Sequence, residues 1–261
     1  MLLRTVNATR YVTPLREGGS LPAIVEADDD GTYVLKFRGA GQGHRALVAE
    51  LISGELARAV GLPVPEIVFM NLDPVLGQTE PDPEIQDLIR GSAGLNLALD
   101  YLPGSISFDP LLPDTVHDDP ELASRIVWFD AYTTNVDRTA RNTNMLVWHN
   151  RLWLIDHGAS LYFHHGWDGH LGRSRSGFPA IRDHVLLPFA DEVDRADEYF
   201  AETITEEMIR GVVALVPESW LGDVPEFASV SEHRTAYVEF LTRRLDDPRQ
   251  FVEDIRDARK V

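Results

Sequence analysis

The densest group of polar side chains in this 261-residue sequence lies at residues 135–142, NVDRTARN. It contains Asp137 and Asn142, and a further carboxylate, Asp156, follows 14 residues after Asn142 in the stretch LIDHG. Carboxylate and amide oxygens are ligands that Mg²⁺ prefers, and a carboxylate can also accept a proton. These side chains could therefore hold metal ions beside a base. The alternative is a turn-rich loop in which Asn and Asp side chains bind their own backbone.

A predicted β-hairpin brings these side chains together. Residues 145–148 and 152–155 are short apolar runs on either side of His149-Asn150, a pattern typical of two paired strands. The polar loop precedes the first strand, and Asp156 follows the second. All three polar side chains are therefore expected at the same edge of the hairpin.

Lysine is rare in this chain. Only two of its 24 basic side chains are lysines, Lys36 and Lys260. A coding bias toward arginine explains the surface charges, but a lysine inside a strand needs a further reason. Lys36 lies in such a strand, predicted at residues 32–37 and paired with residues 21–26 across an Asp-Gly turn.

The remaining elements follow from apolar spacing and from helix-breaking residues. A helix is predicted at residues 43–60, and it carries both Glu50 and Glu55. Further strands are predicted at 66–72 and 95–101, further helices at 120–134, 205–215 and 232–245, and a surface insertion with a short helix (83–90) at 73–94. Strand signals become sparse after the break LPGS at 102–105, which predicts a boundary near residue 103.

The motifs D-R-x-x-x-N, at residues 137–142, and I-D-x-G, at residues 155–158, resemble those of HipA-like kinases and phosphatidylinositol kinases in the protein-kinase-like superfamily. The resemblance implies that Asp137 takes or orients the proton of the attacking hydroxyl. It also implies that Asn142 and Asp156 hold Mg²⁺ at the phosphates of ATP. One departure from the pattern is His157, which stands where related kinases have phenylalanine.

The same resemblance assigns the nucleotide site. Lys36 is expected to contact the ATP phosphates and to pair with a glutamate of the first helix, Glu50, with Glu55 as the alternative partner. A glycine-rich phosphate loop is implied at Gly18, Gly19 and Ser20, although it lacks the spacing G-x-G-x-x-G. A hinge that holds adenine is implied at the end of the strand predicted at residues 95–101. Its residues are Asp100 and Leu102.

The implied fold is α+β, a bilobal protein-kinase-like structure. Residues 1–102 would form a small β-rich N-lobe with one main helix, and residues 103–261 a larger, mainly helical C-lobe. The implied activity is an ATP-dependent kinase with a Ser/Thr or other hydroxyl acceptor. The alternative within the same fold is a nucleotide-binding pseudokinase or scaffold.

A histidine-rich stretch offers a different chemistry. His164, His165 and His170 lie close in sequence to Asp168, and imidazole and carboxylate groups suit transition metals. A metal-dependent hydrolase that uses this stretch is therefore a third hypothesis. A substrate-facing or surface loop is the alternative for the same residues.

Composition narrows the range of partners. The net charge of −18 disfavours binding to nucleic acid or to an anionic membrane surface. The absence of cysteine rules out disulfides and cysteine-ligated zinc, and it fits a cytoplasmic location. The sequence leaves open the acceptor and the oligomeric state.

Overall fold

The computed structural model describes residues 2–16, 21–41, 43–111, 119–222 and 224–260. The fold is mixed α/β, as predicted. The strands are β1 Thr5–Pro14, β2 Ala23–Ala27, β3 Thr32–Lys36, β4 Ile67–Leu72, β5 Gly94–Asp100, β6 Ile106–Ser107, β7 Met145–Trp148 and β8 Arg151–Leu154. The α-helices are α1 Gly43–Ala59, α2 Pro83–Gly91, α3 Pro120–Thr133, α4 His170–Arg173, α5 Val193–Thr203, α6 Glu206–Val213, α7 Glu218–Leu221, α8 Val230–Arg244 and α9 Gln250–Ala258.

The first five strands form a closed barrel in the order β1-β2-β3-β5-β4. β1 pairs antiparallel with β2 and parallel with β4, where Thr5 lies opposite Phe69. The predicted hairpin of β2 and β3 is present, and Asp30 in its turn has a left-handed φ of 63°. Closure of the barrel fixes Lys36 at the end of β3, opposite Leu97 of β5.

The segment at residues 73–94, predicted as a surface insertion, is largely exposed and packs two isoleucines against the barrel core. Its predicted short helix is present as α2, which begins after the cap Asp82. Ile85 and Ile89 of this helix are buried in one apolar cluster with barrel residues such as Met70. The sequence did not predict this packing, because two isoleucines one turn apart are a weak apolar pattern in an acidic, proline-rich segment.

The first helix, α1, joins the barrel to the helices that follow. It packs against β4 and β5 on one side and against α6 and α7 on the other. Leu51 of this helix lies in the same apolar cluster as Leu99 of β5 and Phe129 of α3. Residues before and after position 103 therefore share a core, and the division into two lobes at that position stays a prediction.

The C-terminal half is mainly helical and is centred on α3. Trp128 of this helix stacks on Phe200 of α5, with 4.6 Å between ring centroids, and contacts Phe251 of α9 edge to face. The predicted helices in this half are confirmed as α3, α6 and α8. In the described residues, no helix is long and apolar enough to cross a membrane.

The predicted hairpin at residues 145–155 is formed by β7 and β8, with β6 paired to the other edge of β7. His149 and Asn150 both have positive φ, as a tight hairpin turn of this hand requires. The polar loop at residues 135–142 ends three residues before Met145, the first residue of β7. Asp156 lies two residues after β8. The hairpin thus places the loop and Asp156 at one edge, as predicted.

Candidate active site

Lys36 lies between two carboxylates. Its Nζ is 2.7 Å from Asp156 Oδ1 and 3.6 Å from Glu50 Oε2, and its side chain is only 11% exposed. Burial alone would lower the pKa of Lys36, but the two carboxylates outweigh it and raise that pKa above its ordinary value. The lysine therefore stays charged inside the protein.

Glu50 is the helix partner of this lysine. It is buried at 1% exposure in the middle of α1. Burial would raise the pKa of Glu50, but Lys36 and His157 lower it to about 2. The alternative partner, Glu55, is bonded to Arg58 at 2.6 Å instead. His157 is fully buried beside Glu50, with 3.7 Å between His157 Nδ1 and Glu50 Oε1.

Asp137 and Asn142 are in direct contact. Asn142 Nδ2 donates to Asp137 Oδ2 at 2.7 Å, and Asn144 Nδ2 approaches the same oxygen at 3.3 Å. The backbone N–H of Asp137 donates to Asn135 Oδ1 at 3.1 Å. The carboxylate is thus oriented by amide groups of its own loop. Asn144 was missed in the sequence, although it repeats the amide of Asn142 two residues later.

Asp156 has an unusual backbone. Its φ of 56° lies in the left-handed region, which is strained for a residue other than glycine. The preceding residue, Ile155, donates its N–H to the carbonyl of Asn144 at 3.0 Å, which fixes the chain at this bend. The bend turns the Asp156 carboxylate toward Lys36.

A cavity of about 1030 Å³ unites most of the described residues that were predicted for the site. Lys36, Asp100, Leu102, Asn142 and Asp156 all line its wall. Glu50 lies behind the lysine. Asp137 contacts the cavity through Asn142. A second concavity of about 1320 Å³ lies on the other side of the polar loop, and none of the described residues predicted for the site lines it.

Two backbone N–H groups of the predicted hinge already donate hydrogen bonds within the protein. The N–H of Asp100 donates to the carbonyl of Glu66 at 2.8 Å, and the N–H of Tyr101 donates to the carbonyl of Thr32 at 3.0 Å. Neither group is free for a ligand. Among the described residues, no backbone partner is found for the N–H of Leu102, which is therefore the donor this segment can offer.

Two further predicted features remain, the glycine-rich loop and the histidine-rich stretch. Gly18, Gly19 and Ser20 lie outside the described residues. The histidine stretch does not converge: His164 is buried and bonded to Tyr237 Oη at 3.0 Å, and His170 Nδ1 lies 2.8 Å from the carbonyl of Trp167. In the part of the chain that the structure describes, no group of three or more His, Asp or Glu side chains could hold a metal ion.

Comparison with models of protein families shows which family this chain belongs to. The sequence model of a family described as HipA-like kinase matches residues 9–251. The chain belongs to the HipA-like kinase family. The resemblance of the motifs at residues 137–142 and 155–158 is thereby confirmed. No curated protein matched the sequence.

Solved structures share the fold of this HipA-like kinase at low sequence identity. The Helicobacter pylori proinflammatory kinase CtkA has a TM-score of 0.54 and 12% identity, and the alignment covers 98% of each chain. The Golgi casein kinase with Mn and ADP bound has a TM-score of 0.50 and 11% identity, covering 98% of this chain and 73% of that one. At such identities the likeness shows that the fold is that of a kinase.

Proposed function

We propose that this HipA-like kinase transfers the γ-phosphoryl group of ATP to a hydroxyl group of an acceptor. The observation that carries the proposal is that Lys36, Asn142 and Asp156 share one cavity wall, with Asp137 bonded to Asn142. Phosphoryl transfer needs a cation at the phosphates, oxygen ligands for a metal ion and a carboxylate at the attacking hydroxyl. The four side chains supply these groups.

The donor set fits a hard divalent cation. Asn142 uses its amide N–H on Asp137, which leaves Oδ1 for a cation, and Asp156 uses Oδ1 on Lys36, which leaves Oδ2. Oxygen atoms of this kind suit Mg²⁺. When bound, Mg²⁺ would neutralise phosphate charge that a chain of net charge −18 otherwise repels. The Golgi casein kinase structure with Mn and ADP supports the use of a nucleotide and a divalent metal.

The roles of the chain's own residues follow from their contacts. Lys36, held in place by Glu50, binds phosphate oxygens with its ammonium. The N–H groups of Asn142 and Asn144 fix Oδ2 of Asp137, so Oδ1 is left to accept the proton of the acceptor hydroxyl. The acceptor is a Ser/Thr side chain or another alcohol.

We also propose that the cavity lies between two lobes with a division near residue 103. Residues on both sides of this position line the cavity, among them Val34 and Leu99 before it and Met145 and Ile155 after it. These apolar side chains suit the faces of an adenine ring. The N–H of Leu102 would then donate to the base edge.

Calorimetry with ATP, with and without MgCl₂, tests the nucleotide site. The native protein is expected to bind ATP in a magnesium-dependent manner, and Asp156→Asn to lose that dependence. Asp87→Asn, an exposed change on α2, is the matched control and is expected to behave as the native protein does. Absence of magnesium-dependent binding in the native protein would overturn the proposal.

Phosphoproteomics after overexpression, compared with an Asp137→Ala variant, tests transfer and identifies the acceptor. New phosphorylation is expected with the native protein only. Firm nucleotide binding without any transfer would contradict the proposed activity and identify the chain as a nucleotide-binding scaffold.

A further inference from the structure

A buried carboxylate that sequence reasoning did not select lies beneath the polar loop. Asp130, near the end of α3, is completely buried and accepts hydrogen bonds from three side chains. Its donors are Arg138 Nε at 2.5 Å, Asn135 Nδ2 at 3.0 Å and His184 Nε2 at 3.0 Å. Two donors flank Asp137 in sequence, and the third comes from a later segment. A buried charge is stable only with such partners.

One route from Asp130 to the loop passes through Asn135. Its amide N–H donates to Asp130 Oδ1, and its amide oxygen accepts the backbone N–H of Asp137 at 3.1 Å. The backbone N–H of Asn135 also donates to the carbonyl of Asp130 at 2.8 Å. The position of the Asp137 backbone thus depends on the carboxylate through one intervening side chain.

A second route passes through Arg138, which is 1% exposed. Besides its ion pair with Asp130, its Nη1 donates to the carbonyl of Asn144 and lies 3.4 Å from the carbonyl of Ile155. Asn144 directly precedes β7, and Ile155 directly precedes Asp156. One guanidinium therefore links the carboxylate to the backbone on both sides of the β7–β8 hairpin.

A third route passes through His184. Its Nδ1 accepts the N–H of Leu186 at 3.0 Å, so its Nε2 carries the proton and donates to Asp130. Burial lowers the pKa of His184 even though Asp130 opposes the shift, so the ring is neutral. The next residue, Val185, donates its N–H to the carbonyl of Arg138 at 3.1 Å.

We propose that Asp130 is a positioning residue for phosphoryl transfer, because its carboxylate fixes the loop that carries Asp137 and couples that loop to residues 184–185. This inference rests on the proposed function. Asp130 and His184 are both absent from the wall of the nucleotide cavity. Removal of the charge should therefore impair transfer while leaving nucleotide binding intact.

The test compares Asp130→Asn with a matched change on the same side of the helical half. Asp197 also accepts an arginine and a ring N–H, from Arg249 and Trp128, at 2.8 Å each. No contact of Asp197 with the polar loop is found among the described residues. Asp197→Asn therefore controls for the loss of a structural carboxylate.

Two measurements are made on both variants. The first is the kcat for MgATP hydrolysis, in which water takes the phosphoryl group in place of an acceptor alcohol, together with nucleotide Kd by calorimetry. Asp130→Asn is expected to lower kcat about 100-fold and to change Kd by less than about threefold. Asp197→Asn is expected to leave both near their native values. Equal effects of the two variants on kcat would overturn the proposal.

The second measurement is hydrogen exchange of peptides that cover residues 135–144 and 184–190, which needs no activity. Faster exchange in both peptides is expected for Asp130→Asn and not for Asp197→Asn. Unchanged exchange in Asp130→Asn would overturn the proposal. If the native protein fails to bind MgATP, the proposed function fails, whereas the exchange comparison still decides whether Asp130 positions the loop.

A second pair of variants covers the case in which Asp130→Asn does not fold. His184→Phe keeps a ring and removes the donor, whereas His184→Gln retains an N–H that can reach Asp130. Faster exchange in both peptides and a lower kcat are expected for the phenylalanine variant, with recovery in the glutamine variant. Equal behaviour of the two would contradict coupling through the donated hydrogen bond.

Discussion

Lys36 and Asp156 form a direct ion pair, with 2.7 Å between Nζ and Oδ1, although 120 residues separate them in sequence. The same ammonium lies 3.6 Å from Glu50. One lysine therefore connects the barrel, α1 and the segment after β8. In the proposed reaction Lys36 also binds phosphate, and Oδ2 of Asp156, which the ion pair leaves unused, would hold the metal ion.

Removing the lysine should leave buried charge uncompensated. We expect Lys36→Met to lower the free energy of unfolding by about 3 kcal/mol, because Glu50 loses its main cation. The double variant Lys36→Met/Glu50→Gln should recover part of this loss. Urea unfolding of the two single variants and the double variant measures the coupling. A double variant no more stable than Lys36→Met would contradict the pairing.

Asp137 should be needed for transfer and not for binding. Asp137→Ala is expected to reduce phosphoryl transfer at least about 1000-fold, the upper part of the range for a general base. Nucleotide affinity should change little, since Lys36, Leu102 and Asp156 remain on the cavity wall. Transfer assays and calorimetry on the same preparation measure both, with Asp168→Ala as an exposed control. Native-like transfer by Asp137→Ala would remove Asp137 from this role.

Acid stability should depend on Glu50. Its pKa is about 2 in the folded protein against an ordinary value of 4.5, so its charged form stabilises the fold above pH 4.5. This contribution is lost as the pH falls from 4.5 toward 2. Over that window the native protein should lose unfolding free energy more steeply than Glu50→Gln. Urea unfolding at a series of pH values measures the difference, and parallel curves would contradict the prediction.

The acidic segment at residues 73–94 should contribute to barrel stability. Ile89→Ala is expected to lower the unfolding free energy by about 2–5 kcal/mol, since the side chain is fully buried. Val75→Ala, at a 50% exposed position of the same segment, should change it by less than about 0.5 kcal/mol. Thermal and urea unfolding measure both. Equal effects would mean that this segment does not pack as described.

The sequence was sufficient to select Lys36, Glu50, Asn142 and Asp156, because their types and order are those of a kinase motif. In the structure Lys36, Asn142 and Asp156 line one cavity, and Glu50 lies beside Lys36. Asp130 gave no such signal, because a single aspartate in an apolar helix segment such as IVWFDAYT matches no motif. Its partner His184 is distant in sequence, and only tertiary structure shows that the two side chains meet.

The sequence also did not predict the pairing between strands that are distant in the chain. The segment Thr5–Pro14 was not predicted as a strand, because its polar and apolar residues do not alternate cleanly. Its strand conformation depends on pairing with β2 and with the distant β4. The local hairpins, by contrast, were predicted because their turn residues lie between the paired strands.

Barrel closure by β1 pairs the two strands that would otherwise be sheet edges, β2 and β4. A strand at the edge of a sheet exposes unpaired N–H and C=O groups that can pair with another chain. Because β1 covers β2 on one side and β4 on the other, the described barrel offers no open edge. A variant without residues 2–14 would expose two such edges at once, and with them the apolar interior around Val25 and Met70. Loss of the first strand is therefore expected to promote self-association as well as unfolding.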